Sequence, residues 1–474
     1  MDRDLKPNIL MIVEDHVAFY GHKQIKRPYL EQLKQEGVFF ENTYCSTPLC
    51  MPSRKTMMTG LYPHAHGQRD NSFETGYEQT ETYLDILKEQ GYETYYFGKW
   101  HAGKGTPADL GCKGISYPDY SNPYHQKEYQ DYIKEKELPP AAMKVEVNMC
   151  EKGWIDDVEE GDIYRFTRPL LNEALSGVLE APKESHEAFY VSEMACRQLE
   201  EIQKTHKEDM PFMMRVDFWG PHQPYHPAKE YTEMYPLENM GEYPSFHDTL
   251  EGKPESYFFD TGRDTSENKR LKIPNALPEE KWRLLFSRCY AQNTMVDEAA
   301  GRIIEKLKDL HLAENTVIIW LADHGDALGC HGGHFDKAFY MPEEVLRIPF
   351  VMSYPGVLPK GEVSSALISN ADLAPTLAAI AHGKMEQIEG RSILELYHGQ
   401  KIPWRDSVIS ETFGHLAPWE AKAVRSGKYK YVWNKDDVEE LYDLEEDPYE
   451  MQNLAEEKIY KEILSKMRGK MEKR

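Results

Sequence analysis

The sequence predicts an α/β fold: a large, mostly parallel central sheet sandwiched by helices, followed by a smaller C-terminal antiparallel-sheet subdomain. Three observations predict it. Short apolar runs alternate with helical patterns along most of the chain. The apolar runs are continuous, as in strands covered on both faces. From about residue 405 the pattern changes to alternating apolar and polar residues around Gly and Asn-Lys turns.

In chain order, Ile9 to Val13 reads as a buried strand and Tyr29 to Glu36 as a helix. The helical TYLDILKEQ precedes a strand over Tyr92 to Phe97. The helix around VSEMACRQLEEIQKT precedes a strand over Phe212 to Phe218. Trp282 to Leu310 carries long helical periodicity, and Val317 to Ala322 and Phe350 to Ser353 are strands again. Such β-α alternation yields a parallel sheet, whose functional residues gather at the carboxyl ends of its strands. Two stretches, 105–185 and 226–280, are rich in Tyr, Pro and acidic residues without a clear period. They read as insertions over the sheet edge that shape a pocket. The expected division is an α/β domain over 1–404, carrying these two insertions, and an α+β subdomain over 405–474.

The chain has 474 residues, 40% hydrophobic and 29% charged, which is ordinary globular composition. Acidic side chains outnumber basic ones by 80 to 56, for a net charge of −24. A nucleic-acid binder would carry the opposite excess. One cationic site can still take an anionic substrate. The seven cysteines, at 45, 50, 112, 150, 196, 289 and 330, have no paired spacing and do not suggest a disulfide framework. The N-terminus MDRDLKPNILMIV enters a strand-like run at once, so no signal peptide or membrane segment is expected and a cytoplasmic location is. Oligomeric state is left open.

Three local patterns carry chemistry. Cys50-Met-Pro-Ser53-Arg54 places a Cys before a Pro that suits the first turn of a helix. Residue 50 would then face a helix N-terminus, where anions are favoured. Asn8-Ile-Leu-Met-Ile-Val-Glu14-Asp15-His16 is a strand ending in a polar pair, and Val317-Ile-Ile-Trp-Leu-Ala-Asp323-His324-Gly325-Asp326 repeats that grammar. The two pairs meet only if their strands are neighbours in one sheet. Gly325 would permit a tight turn beside an ion.

The pentapeptide CMPSR, followed by KTMMTGLYPHAHG, resembles the Cys-x-Pro-Ser-Arg signature of type I sulfatases, in the alkaline phosphatase superfamily. The resemblance extends to Gly98-Lys99-Trp100-His101, Pro221-His222-Gln223-Pro224, Lys337 and the tail KAVRSGKYKYVWN…EELYDLEEDPYEMQNLA. It implies that a separate maturing enzyme oxidises Cys50 to formylglycine. The hydrated aldehyde then attacks sulfur with one hydroxyl and expels the sulfate through the other. It further implies that Asp15, His16, Asp323 and His324 hold a divalent metal. Lys99 and Lys337 would bind sulfate oxygens, Arg54 would hold the nucleophile, His101 would act on the diol and His222 would protonate the leaving oxygen. The family usually carries Asp-Asp where this chain has Asp15-His16. Calcium is the expected ion, but two histidines in the shell favour manganese, and magnesium is a further candidate. A sulfated carbohydrate is the first substrate class. A phosphonate monoester or phosphodiester hydrolase of the same superfamily is the nearest rival, and a non-catalytic binding protein the rival of another class. A di-zinc phosphatase would need a second ligand set that the sequence does not supply.

Overall fold

The computed structural model describes residues 6–119, 121–149, 158–169, 171–205, 210–259, 277–337, 340–397, 403–415 and 417–472. Its centre is an eight-stranded sheet built from β1 (Asn8–Asp15), β2 (Val38–Tyr44), β3 (Glu93–Lys99), β4 (Lys113–Tyr117), β8 (Phe212–Pro221), β9 (Thr316–Ala322), β10 (Phe350–Ser353) and β11 (Glu362–Ser369). The spatial order is β11-β2-β10-β9-β1-β8-β3-β4. Every neighbouring pair is parallel except the two that β10 makes, with β2 and β9.

The continuous apolar runs have the expected cause. Successive side chains of a strand point to opposite faces, so a sheet covered twice needs apolar residues at every position. On β1, Leu10 and Ile12 join one core cluster, while Ile9, Met11 and Val13 join the other. Helices Pro28–Glu36, Glu187–Thr205 and Glu279–Asp309 cover the first face. Helices Cys50–Thr59, Tyr83–Glu89 and Leu373–Ile380 cover the second.

The tail forms a four-stranded antiparallel sheet, β12 (Val408–His415), β13 (Ala417–Ser426), β14 (Tyr429–Asn434) and β15 (Glu440–Asp443), in that order. Helix Lys461–Met471 packs on it through Leu464 and Met467.

The stretch 105–185 is more ordered than its lack of period suggests. It adds edge strand β4 to the main sheet and builds a three-stranded sheet from β5 (Ala142–Asn148), β6 (Ile163–Arg165) and β7 (Leu175–Leu179), order β6-β5-β7. The stretch 226–280 is mostly turns and single-turn helices, and 260–276 lies outside the described residues. Among the described residues no helix is long and apolar enough to cross a membrane.

Candidate active site

Four adjacent parallel strands deliver the chemistry. In the order β3, β8, β1, β9, they carry Lys99 at the carboxyl end, Asp217 within the strand, Asp15 at the carboxyl end and Asp323 just past it. The register sets Glu14 against Ala322, which brings Asp15 and Asp323 to one level, and Val13 against Asp217, two residues below it; Arg54 reaches all three carboxylates. The tight packing of β3 on β8 requires glycine at 98. Its φ is +97°, and a Cβ there would overlap the Asp217 carbonyl oxygen. Gly325 has a different reason from the one expected. Its φ is not left-handed, but a Cβ would overlap the Glu344 carbonyl oxygen.

Cys50 opens the helix Cys50–Thr59, all of whose residues are buried. Pro52 lies in the first turn, where its missing N–H costs nothing. Ser53 donates to the Asp323 carbonyl at 2.6 Å and accepts from Asn370 at 2.8 Å. Arg54 donates from Nε to Asp323 at 2.8 Å and from Nη1 to Asp217 at 2.7 Å, and its Nη2 lies 3.6 Å from Asp15. These contacts pin the helix N-terminus against the strand ends.

Ligand atoms of Asp15, Cys50, Asp323 and His324 all lie within 4.8 Å of one another. Cys50 Sγ is 3.1 Å from His324 Nε2. The Gly325 carbonyl accepts from His324 Nδ1 at 2.9 Å, so Nε2 presents its lone pair to residue 50. Three of the four residues expected to hold metal are therefore grouped, with Cys50 beside them.

His16 faces elsewhere. Its φ of 65° is left-handed, and its backbone N–H donates to Asp323 at 3.1 Å. Its Nε2 lies 3.3 Å from both Asp326 and Asp336, in a second group with His222. Successive residues of a strand point to opposite faces, and the turn after Asp15 enlarges that divergence.

Charge dominates this interior. Burial would raise the Asp15 carboxyl, but the charges of Lys99 and Arg54 outweigh it and hold the group well below the usual carboxylate range. Lys99 Nζ is paired directly with Asp15. Burial and the Asp15 charge push Asp323 up to about 7. Burial pushes the Cys50 thiol up to about 12, against the pull of Lys337 and Lys99. Oδ1 of Asp15 and Nη2 of Arg54 are buried without a hydrogen-bond partner among the described residues. Two carboxylates and an imidazole converging on an unpartnered carboxylate oxygen fit a divalent cation.

The remaining expected residues come in from the rim. Lys337 lies 3.0 Å from His222 Nε2 and 3.0 Å from Asp336. Since the Gln223 carbonyl accepts from His222 Nδ1 at 2.8 Å, Nε2 accepts from the Lys337 ammonium. His101 is buried beside Phe73, with ring centroids 5.8 Å apart. Burial and then the Lys99 charge hold it neutral, well below its ordinary value. Asn122, Leu171, Glu173, Glu187 and Trp219 line a pocket that reaches Asp15 and His222, so the 105–185 stretch does shape it.

The sequence reading missed four acids here. Asp217 bridges Arg54 and Arg215; Asp326 and Asp336 face His16; Glu187 lies in the pocket with its carboxyl raised to about 8, chiefly by burial. Two had a visible signal: Asp217, an acidic residue inside the apolar run of β8, and Asp326, which closes the Asp323-His324-Gly325-Asp326 stretch but had no role assigned.

A family model described as Sulfatase matches residues 7–383, and one described as N-sulphoglucosamine sulphohydrolase, C-terminal, matches 329–474. An arylsulfatase of Clostridium perfringens (strain 13 / Type A) is 26% identical over 98% of this chain and 93% of its own. A structure solved in complex with its substrate, D-glucosamine-2-N,6-O-disulfate, superposes with a TM-score of 0.71 at 20% identity, covering 99% of this chain and 97% of its own. A phosphonate monoester hydrolase from Silicibacter pomeroyi superposes with a TM-score of 0.76 at 20% identity, covering 99% of this chain and 95% of its own. At such identities the superpositions establish the common fold. The match over residues 7–383 spans every strand that delivers a side chain to the Cys50 group, and it makes this chain a member of the sulfatase family, hydrolases of sulfate esters.

Proposed function

We propose that the protein hydrolyses a sulfate monoester carried on a carbohydrate, with a formylglycine made from Cys50 by a separate maturing enzyme and a divalent metal beside it. One observation carries the reading: Cys50 opens a buried helix inside a group formed by Asp15, Asp323 and His324. Sulfatases generally use both a metal and formylglycine. Formylglycine at position 50 would supply the nucleophilic hydroxyl that a buried thiol does not. A cation held by Asp15, Asp323 and His324 would supply Lewis-acid polarisation of a sulfate oxygen. Calcium is the proposed ion because two of these three ligands are carboxylates, with manganese or magnesium next.

The chain's own residues do the rest. Sulfate esters resist attack because their oxygens are anionic, so positive charge must be fixed before substrate arrives. Lys99, paired with Asp15, and Lys337, beside His222, are the cations assigned to the sulfate oxygens, a role supported by the pull of both charges on residue 50. Arg54 offsets Asp15 and Asp323 and fixes the start of the helix. His222 and Lys337 form a proton-holding pair, and the leaving oxygen takes its proton from that pair. His101, kept neutral, serves as the base toward residue 50.

The carbohydrate assignment rests on the glucosamine-type relatives and on a pocket with Trp219 and acidic walls, suited to a sugar ring. The phosphonate reading retains one argument, the similar fold of the Silicibacter enzyme. Matured enzyme should be assayed in parallel on 4-nitrophenyl sulfate, phenylphosphonate monoester and defined sulfated saccharides. Turnover of a sulfated saccharide well above both aryl substrates supports the proposal. Phosphonate turnover exceeding every sulfate ester overturns it.

A further inference from the structure

We propose that Cys330, His331 and Glu344 form a second metal site, structural in role, that takes a borderline-soft divalent cation of the zinc type. The three residues are buried and offer Sγ, an imidazole nitrogen and a carboxylate oxygen within 4.8 Å of one another. They belong to neither group at the active site.

Four features point to an ion rather than to ordinary packing. First, the histidine is prepared as a ligand. Its Nδ1 is 2.8 Å from Asp248, which fixes the ring and leaves Nε2 aimed inward. Metal-binding histidines are commonly oriented by such a carboxylate. Second, the carboxylate is prepared too, since Tyr243 donates to Glu344 Oε1 at 2.7 Å and leaves Oε2 inside. Third, His331 Nε2 and Glu344 Oε2 are both buried and meet no hydrogen-bond partner among the described residues. They lie 3.8 Å apart. That is too long for a hydrogen bond, yet close to the separation of about 3.4 Å between two ligands of a tetrahedral zinc. An ion-free Asp248–His331–Glu344 relay would close this gap and would have no use for Cys330. Fourth, the charges balance: a divalent cation with one thiolate, one neutral imidazole and one carboxylate is neutral overall, and binding releases to solvent the thiol proton together with any proton held by Glu344.

The site also has something to hold. His331 has a left-handed backbone, with φ 43°. It lies in the loop between His324 and Lys337, whose two limbs are tied by Ala327 N–H to Asp336 O at 3.0 Å. Glu344 lies outside that loop, next to the strand-like contact between Gly325 N–H and Val345 O, 2.8 Å. An ion across Cys330, His331 and Glu344 would staple the loop that presents Asp326, Asp336 and Lys337 to the active site.

The test uses the full chain in a Cys50→Ala/His324→Ala background, which dismantles the other Cys-containing group. After loading with one equivalent of zinc and dialysis into metal-free buffer to remove free metal, mass spectrometry should find a single zinc ion per chain. Adding Cys330→Ser and Glu344→Gln should abolish it. Cobalt(II) loading of the background protein should give a thiolate-to-metal charge-transfer band in the near ultraviolet that Cys330→Ser removes. A folded background protein that retains no zinc and shows no such band overturns the proposal. So does a band that survives Cys330→Ser. Should the added substitutions prevent folding, the cobalt spectrum of the background protein decides alone.

Discussion

Asp217 ties the interior charge network together, and Asp217→Asn tests that directly. The carboxylate is fully buried. It accepts from Arg215 Nε and Nη2 and from Arg54 Nη1, all at 2.7 Å. Removing its charge leaves two buried guanidiniums with unequal fates. Arg54 keeps Asp323 and Asp15, whereas the other polar contacts of Arg215 are neutral, Met58 sulfur at 3.1 Å and the Tyr83 hydroxyl at 3.2 Å. Uncompensating a buried ion pair costs about 3–5 kcal/mol. A chain of 474 residues has an unfolding entropy of roughly 1 kcal/mol/K, so that cost lowers Tm by only about 3–5 °C. Urea denaturation followed by tryptophan fluorescence is therefore the better assay. The decisive arm is the double variant. Adding Arg215→Met removes the stranded charge and should restore about half of the loss, a non-additivity measurable in a double-mutant cycle. If Asp217→Asn costs under about 1 kcal/mol, or Arg215→Met deepens its defect, the network does not work as described.

Three further outcomes are expected. Cys50→Ala should abolish turnover in protein whose circular dichroism and Tm match the parent; retained turnover would remove residue 50 from the chemistry. Lys337→Met should lower kcat/KM for a sulfate ester by about 10²–10³-fold, since a fixed positive charge at the sulfate oxygens is lost, and an unchanged value would place Lys337 outside the substrate site. The carboxyl of Glu187, raised by burial to about 8 from an ordinary 4.5, is protonated longer in the folded than in the unfolded state. Its contribution to stability is complete below the ordinary value and is lost as pH rises through about 8. Glu187→Gln should thus melt above wild type at alkaline pH and at parity in acid, and a constant difference across the range would refute the assignment.

The central strands were readable because burial on both faces leaves no choice of residue. Ile9 to Val13, Phe212 to Phe218 and Val317 to Ala322 each fall within the observed strand. The reading missed β2, where Glu41 and Asn42 interrupt VFFENTY, and the edge strand β11, six of whose eight residues are exposed or partly so. It missed β4 and β6, which are too short to show a period, and passed over the alternation of β5, where Met143, Val145 and Val147 point inward between Lys144, Glu146 and Asn148. Within the active site, strand ends could be read by counting, but side-chain direction could not. Asp15 and His16 look equivalent in sequence, and only the left-handed turn at His16 separates them. Asp336 was passed over because its role depends on the loop from 325 to 337 folding back on itself.

Maturation of Cys50 as proposed would meet a deadline set by the burial of its side chain. No solvent reaches its side chain once β9 has brought Asp323 and His324 against it, and β9 emerges some 270 residues after Cys50. Synthesis at about 5–20 residues per second makes that delay roughly 15–55 s. During it the CMPSR peptide has no completed sheet to pack against, and an enzyme that oxidises Cys50 can take the segment in extended form. A chain that finishes folding first would carry its thiol locked inside, stable and inert. The fraction of active molecules should then depend on the contest between the modifying enzyme and the ribosome, and slowing translation downstream of residue 50 should raise it.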